Sequence, residues 1–164
     1  MKCLFIGLGS IGQRHLRNLK LILPEAEVLA YRNSRNNNVP FLNDQNEPLR
    51  NIDLINYYDI KEYFSLQEAL EIKPDIVFIT NPSIYHGKFA IEAIKSGAFV
   101  FIEKPLSVDI ESAEEILSLE NKLNKKKCMV GFQFRYSPVL IKLKELLDEN
   151  IIGNLVNGQI SNGE

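Results

Sequence analysis

A short apolar run, Lys2-Cys3-Leu4-Phe5-Ile6, breaks into Gly7-Leu8-Gly9-Ser10-Ile11-Gly12, and a helical pattern begins at once. Strand, Gly-x-Gly-x-x-Gly turn and helix in that order make the opening of a dinucleotide-binding βαβ unit. Gly7 allows the tight turn, Gly9 lets backbone approach a pyrophosphate, and Gly12 lets helix and strand pack closely. The N–H groups and the positive dipole end of the helix then face the phosphates. A tight turn alone would also use these glycines, so the rest of the chain has to decide.

Beyond Gly12 the chain alternates between helix and strand patterns. The first helix carries Ile11, His15, Leu19 and Ile22 at helical spacing, with Arg14, Arg17, Asn18 and Lys20 on the other face, and stops at Pro24. His15 reads as a packed, hydrogen-bonded imidazole rather than a catalytic one. Glu27 to Tyr31 is the second strand. The stretch from Asn36 to Asn51, rich in asparagine and broken by Pro40 and Pro48, reads as a surface excursion or small hairpin. Ile60 to Phe64 is the third strand, and Ser65-Leu66-Gln67-Glu68 has the form of a helix start. Asp75 to Thr80 is a continuous apolar strand, as expected where both sheet faces are covered. It leads into a helix with Ile84, Phe89, Ala90, Ala93 and Ile94 at core spacing. Ala98 to Ile102 is the fifth strand, Ser107 to Asn124 a helix, and Cys128 to Phe132 the sixth strand. The lysines at 125–127 suit the negative end of a helix dipole and need no partner. Ser137-Pro138 opens a last helix with a hydroxyl cap and proline at its first position. Leu155 to Ser161 is strand-like. The expected architecture is a doubly wound, mainly parallel Rossmann-type α/β sheet with helices on both faces and a coenzyme across the ends of its first and fourth strands.

The end of the second strand bears on which coenzyme. An acidic residue there binds the adenosine ribose 2′-OH of NAD. Here the sequence is Tyr31-Arg32-Asn33-Ser34-Arg35, with no carboxylate. Two guanidiniums, Arg32 and Arg35, and the Ser34 hydroxyl suit a 2′-phosphate. The expectation is therefore NADP, with NAD possible; a solvated basic turn is the plainer alternative.

Composition removes other classes. A net charge of −2 with interspersed signs gives no electrostatic case for nucleic acid or an anionic membrane. No apolar run approaches the roughly 20 residues that span a bilayer, and glycines interrupt the N-terminal run before any cleavage-like site. Cys3 and Cys128 read as buried thiols in a reducing compartment, and the two histidines are isolated, so no metal cluster is expected. The expected location is cytoplasmic.

Four landmarks occur in order: Gly7-Leu8-Gly9-Ser10-Ile11-Gly12, Thr80-Asn81-Pro82-Ser83-Ile84-Tyr85-His86, Glu103-Lys104-Pro105, and Gly131-Phe132-Gln133-Phe134-Arg135-Tyr136. In these the chain resembles the N-terminal half of the Gfo/Idh/MocA family of NAD(P)-dependent oxidoreductases. The resemblance implies an enzyme moving hydride between nicotinamide and a carbinol or carbonyl of a sugar, polyol or sugar derivative. It implies a catalytic role for Lys104, near nicotinamide and substrate oxygen, where a cation can stabilise alkoxide character or relay a proton. Pro105 resembles a position that is often cis. Ser10, Ile11, Thr80, Asn81 and Pro82 are implied to border the coenzyme, and Glu103 to orient coenzyme or lysine. His86 either borders the nicotinamide pocket or caps and packs its helix. Arg135 either contacts substrate or phosphate or braces a strand end.

By the same resemblance, residues 1–150 are an NAD(P)-binding domain and 151–164 the start of a truncated substrate or oligomerisation domain. The partners this implies are a sugar or polyol substrate and a homo-oligomer or a separate second-half chain, and the chain alone is expected to be inactive or feeble until completed. The competing reading is an NADP(H)-binding module or sensor without catalysis. A methyl-donor nucleotide binder is disfavoured because Glu103-Lys104-Pro105 has no role there.

Overall fold

The computed structural model describes residues 1–34, 39–159 and 161; Arg35 lies outside them. Two compact units divide the chain, Met1–Gly131 and Phe132–Glu164. In chain order the first unit contains β1 (Lys2–Ile6), α1 (Ser10–Ile22), β2 (Glu27–Tyr31), β3 (Pro40–Leu42) and β4 (Pro48–Asp53). It continues with α2 (Leu54–Tyr57), β5 (Lys61–Tyr63), α3 (Leu66–Glu71), β6 (Ile76–Ile79), α4 (His86–Lys95), β7 (Phe99–Ile102), α5 (Ile110–Leu123) and β8 (Cys128–Val130). The sheet order is β5-β2-β1-β6-β7-β8, with every pairing parallel. The order reverses at β1, where β2 lies on one side and β6 on the other, and a crevice opens at such a switch point. The asparagine-rich excursion contains the antiparallel hairpin β3–β4.

Period-two alternation sorts each strand between two layers. Leu4, Ile6, Leu29, Val77 and Ile79 meet Ala69 of α3, Ala90 and Ile94 of α4 and Ile116 of α5. Cys3, Phe5, Val28 and Ala30 meet Leu16 and Leu19 of α1, Leu54 of α2 and Phe41 of the hairpin. Phe5 stacks on Phe78 at 4.6 Å between centroids. Each buried Leu, Ile or Phe contributes about 1.5–3 kcal/mol, so β1, buried from Cys3 to Ile6, anchors both layers.

Several local expectations change. The buried stripe of α1 is Gly12, Gln13, Leu16 and Leu19, while Ile22 is exposed. The phase is set by Gly12, whose missing side chain brings that face onto the sheet. Ile84 is likewise exposed, in a one-turn 3-10 helix, Ser83–Tyr85, ahead of α4. The helix expected from Ser107 begins at Ile110, because Asp109 Oδ1 accepts the Ser112 N–H at 2.7 Å while the Ser107 hydroxyl donates to the Asp109 carbonyl. Ser65 does cap α3, accepting from Glu68 N. Lys127 is not merely a solvated cation: its Nζ donates to the Gly97 carbonyl at 2.7 Å and lies 4.1 Å from the Phe99 ring centroid. Cys3 is buried, whereas Cys128 is only partly so. Burial, and secondarily the Glu120 carboxylate, push the Cys128 thiol up to about 12.

The second unit contains a one-turn 3-10 helix, Gln133–Tyr136, and α6 (Pro138–Asp148). Pro138 opens α6 as expected, but the Ser137 hydroxyl makes no capping bond. The strand expected over Leu155 to Ser161 is not formed: residues 155–159 and 161 have no secondary structure and are exposed. Among the described residues no neighbouring strand satisfies their backbone groups, and an isolated strand does not persist in water. Among the described residues no helix is long and apolar enough to cross a membrane.

Candidate functional site

The three glycines of the first turn do three different things. Gly7 has φ +109°, and a Cβ there would lie 2.6 Å from Asn81 N. A Cβ on Gly12 would lie 2.3 Å from the Gly7 carbonyl oxygen and 2.9 Å from Thr80 Oγ1. Backbone therefore packs on backbone where α1 crosses the ends of β1 and β6, and the Thr80 hydroxyl closes the contact by donating to Gly7 O at 2.7 Å. Gly9 differs: φ is −68°, and an added Cβ would meet nothing within 4 Å. It faces open space at the start of α1, where the first amides of the helix have no intrahelical acceptor.

That space is a cleft of ≈ 720 Å³ at the switch point. Gly7, Gly9, Ser10, Ile11, Arg32, Thr80, Asn81 and Pro82, each singled out in the sequence, lie along it. Gly12 packs beneath. Tyr31, Val39, Tyr85, Lys88 and Phe89 also line it, and sequence reasoning does not assign them to the site. The i, i+3, i+4 spacing of Tyr85, Lys88 and Phe89 is the available signal, since it puts all three on one helical face. Asn81 Oδ1 is buried with no hydrogen-bond partner among the described residues. The open ground above Gly9, unpaired helix amides and an orphaned amide oxygen fit an extended ligand with phosphates at its middle and a hydrogen-bond donor near Asn81.

The other site residues lie outside this lining. His86 is 2% exposed, and its ring spans two backbone carbonyls: Nδ1 is 2.7 Å from Pro105 O and Nε2 is 2.8 Å from Asn81 O. One side chain thus ties the Asn81 turn at the cleft to the Glu103-Lys104-Pro105 turn past β7. The Lys104–Pro105 peptide is cis. Lys104 is exposed, and its ammonium makes no hydrogen bond or ion pair among the described residues. Glu103 Oε1 accepts from His15 Nε2 at 2.7 Å, and Oε2 accepts from the Lys104 amide at 3.3 Å. The His15 ring packs edge-on against Phe101 at 4.8 Å and lies near Phe78, so the imidazole expected to be packed and bonded is both. Arg135 belongs to the second unit.

At the end of β2 the structure adds what local sequence did not contain. Ala30 is in register with Glu62 on β5, the Arg32 amide donates to Tyr63 O at 2.9 Å, and the Arg32 guanidinium pairs with the Glu62 carboxylate. The ion pair is largely shielded, with side-chain exposures of 12% and 26%. Of the residues expected to meet a 2′-phosphate, Arg32 is therefore already engaged by an acid; Ser34 is outside the cleft lining, and Arg35 is outside the described residues.

Residues 1–132 match the model of an oxidoreductase family with an NAD-binding Rossmann fold. The chain is 28% identical over 148 residues to the inositol 2-dehydrogenase/D-chiro-inositol 3-dehydrogenase of Lactiplantibacillus plantarum, covering 90% of this chain and 40% of that protein. It is 27% identical over 161 residues to the inositol 2-dehydrogenase of Salmonella typhimurium, covering 97% and 45%. Among solved structures, the myo-inositol dehydrogenase of Lactobacillus casei in complex with NAD(H) and myo-inositol superimposes with a TM-score of 0.76 at 29% identity, covering 93% of this chain and 42% of that one. The chain thus spans about two-fifths of the length of the relatives it matches.

Proposed function

The chain belongs to the Gfo/Idh/MocA oxidoreductase family, and from that premise we propose that it is the coenzyme-binding half of a dehydrogenase acting on a sugar or polyol carbinol. The observation that carries this reading is the His86 tie, which couples the glycine-floored cleft to a turn presenting an unpaired lysine. The nicotinamide coenzyme supplies the hydride acceptor or donor when bound. Gly7, Gly9 and the first amides of α1 hold its pyrophosphate, and Asn81 offers an acceptor to a donor group of the ligand. Lys104 stands at the substrate oxygen, where its ammonium stabilises developing alkoxide charge or passes a proton. Glu103 is held by His15 and the Lys104 amide, which suits setting the turn rather than moving protons. The names of the inositol dehydrogenases among its relatives support a cyclic polyol as the first substrate to try.

The test is titration of NADH and NADPH by fluorescence, followed by coenzyme reduction with a panel of inositols, polyols and sugars. Saturable binding is the expected result for the chain alone, with turnover on a polyol once a second half completes the site. Failure to bind either nucleotide overturns the reading. Binding without turnover fits the isolated coenzyme half or a coenzyme-binding module, and turnover still absent when a second half is supplied leaves the module in place of a dehydrogenase.

A further inference from the structure

We propose that Glu62 sets the choice between the two forms of the coenzyme, holding Arg32 in an ion pair so that the cleft takes the unphosphorylated ribose of NAD(H) in preference to the 2′-phosphate of NADP(H). The inference rests on the reading of the cleft as a dinucleotide site. It replaces the expectation drawn from Arg32, Ser34 and Arg35 alone.

The cleft lining includes Tyr31, the last residue of β2, Arg32 and Asn33 just past it, and Lys88 of α4. In this fold class the end of the second strand is where the adenosine ribose is read: a carboxylate accepts from the 2′-OH, whereas a guanidinium accommodates the 2′-phosphate. Local sequence supplies the guanidinium without the acid. The sheet order supplies the acid, because β5 lies beside β2 and puts Glu62 in register with Ala30, two residues before Arg32. Glu62 Oε1 accepts from Arg32 Nη1.

The pairing has two consequences. The Arg32 guanidinium, which could clasp a phosphate, already has a carboxylate partner that takes up part of its charge and holds its Nη1, so a phosphate gains less from it. The phosphate would also bring up to two negative charges beside the Glu62 carboxylate, where shielding from solvent strengthens like-charge repulsion. A neutral ribose meets neither obstacle. Glu62 is thus a positioning residue that acts through Arg32 while adding the negative charge the local sequence lacks. A purely structural ion pair would affect both coenzymes alike, so the ratio of their affinities is the discriminating readout.

The experiment measures Kd for NADH and NADPH on the chain and on Glu62→Gln, Arg32→Ala and the double variant, with urea unfolding as a check on folding. The parent is expected to bind NADH at least tenfold more tightly than NADPH. Glu62→Gln, close to isosteric, is expected to shift that ratio at least fivefold toward NADPH, with the NADH Kd changing less than threefold. Arg32→Ala in the Glu62→Gln background should erase the gain; this arm ties the effect to the pair. A ratio unchanged within twofold in Glu62→Gln, or a parent that prefers NADPH, overturns the proposal while leaving nucleotide binding intact. Failure of the parent to bind either nucleotide overturns the cleft reading itself.

Discussion

Replacing Gly9 by valine separates binding from folding. Its φ of −68° and ψ of −169° are open to any residue, and an added Cβ would meet nothing within 4 Å. Loss of chain entropy in the unfolded state stabilises the variant by roughly 0.4–1 kcal/mol. Loss of a favourable N-cap residue offsets this by a similar amount, so the net change in stability is within about 1 kcal/mol. Binding is another matter. The isopropyl group fills the ground in which a pyrophosphate would meet the first amides of α1. Loss of two charge-assisted hydrogen bonds, roughly 1.5–3 kcal/mol each, weakens NADH by at least about a hundredfold. Gly12→Val is the opposite control. Its Cβ would start 2.3 Å from the Gly7 carbonyl, a backbone atom that cannot swing aside, so α1 must lift from β1 at a cost of about 3 kcal/mol or more. Fluorescence titration of NADH, run beside urea unfolding, reads both quantities on both variants. A Gly9→Val chain that binds NADH within threefold of the parent refutes the reasoning.

Lys104→Met is expected to leave the Kd for NADH within threefold of the parent, because Lys104 lies outside the cleft lining, while lowering kcat on a polyol, measured with a second half supplied, by a hundredfold or more; an unchanged kcat would remove lysine from the chemistry. Gln13 is buried and joins α1 to the hairpin, its Nε2 donating to Leu8 O and Pro40 O and its Oε1 accepting from Leu42 N. Gln13→Leu should therefore cost about 2–4 kcal/mol in urea unfolding and speed hydrogen exchange at the Leu42 amide. For Cys128 the folded-state pKa lies above the unfolded one, so the unfolded chain gives up its proton first. That contribution to stability is complete below about pH 9 and declines as pH rises toward about 12. Urea midpoints for the parent and Cys128→Ser at pH 8 and pH 10 measure it: the parent should lose more on going to pH 10.

The turn at residues 7–12 and the alternation of strands and helices after it are legible in the sequence because both come from local pattern: a glycine motif between strand and helix, and apolar runs separated by helical periods. The cleft wall at the 7–12 turn is legible for the same reason, whereas the wall at the 80–82 turn is legible only through the family resemblance. Other features depend on partners distant in sequence. Glu62 reaches Arg32 through the adjacency of β2 and β5, which only the sheet order reveals. The inward stripe of α1 departs from the apolar pattern at Ile22 because a glycine and a glutamine, neither of them a large apolar residue, occupy its buried positions. Gln13 is tolerated there because the hairpin satisfies it, and the hairpin lies beyond residues whose pattern is simply polar. The 155–161 segment has the composition of a strand, but strand formation belongs to a pair of segments, and one alone does not express it.

The two contacts of the His86 ring carry a consequence for how sequence change is tolerated. Both of its contacts are to main-chain carbonyls, of Asn81 and Pro105, and every substitution at those positions keeps a carbonyl. The spacing between cleft and lysine is therefore insulated from mutation at nearly every residue around it and concentrated on one imidazole. Side chains around the two turns can therefore change while the tie between the Asn81 turn and the 103–105 turn is kept.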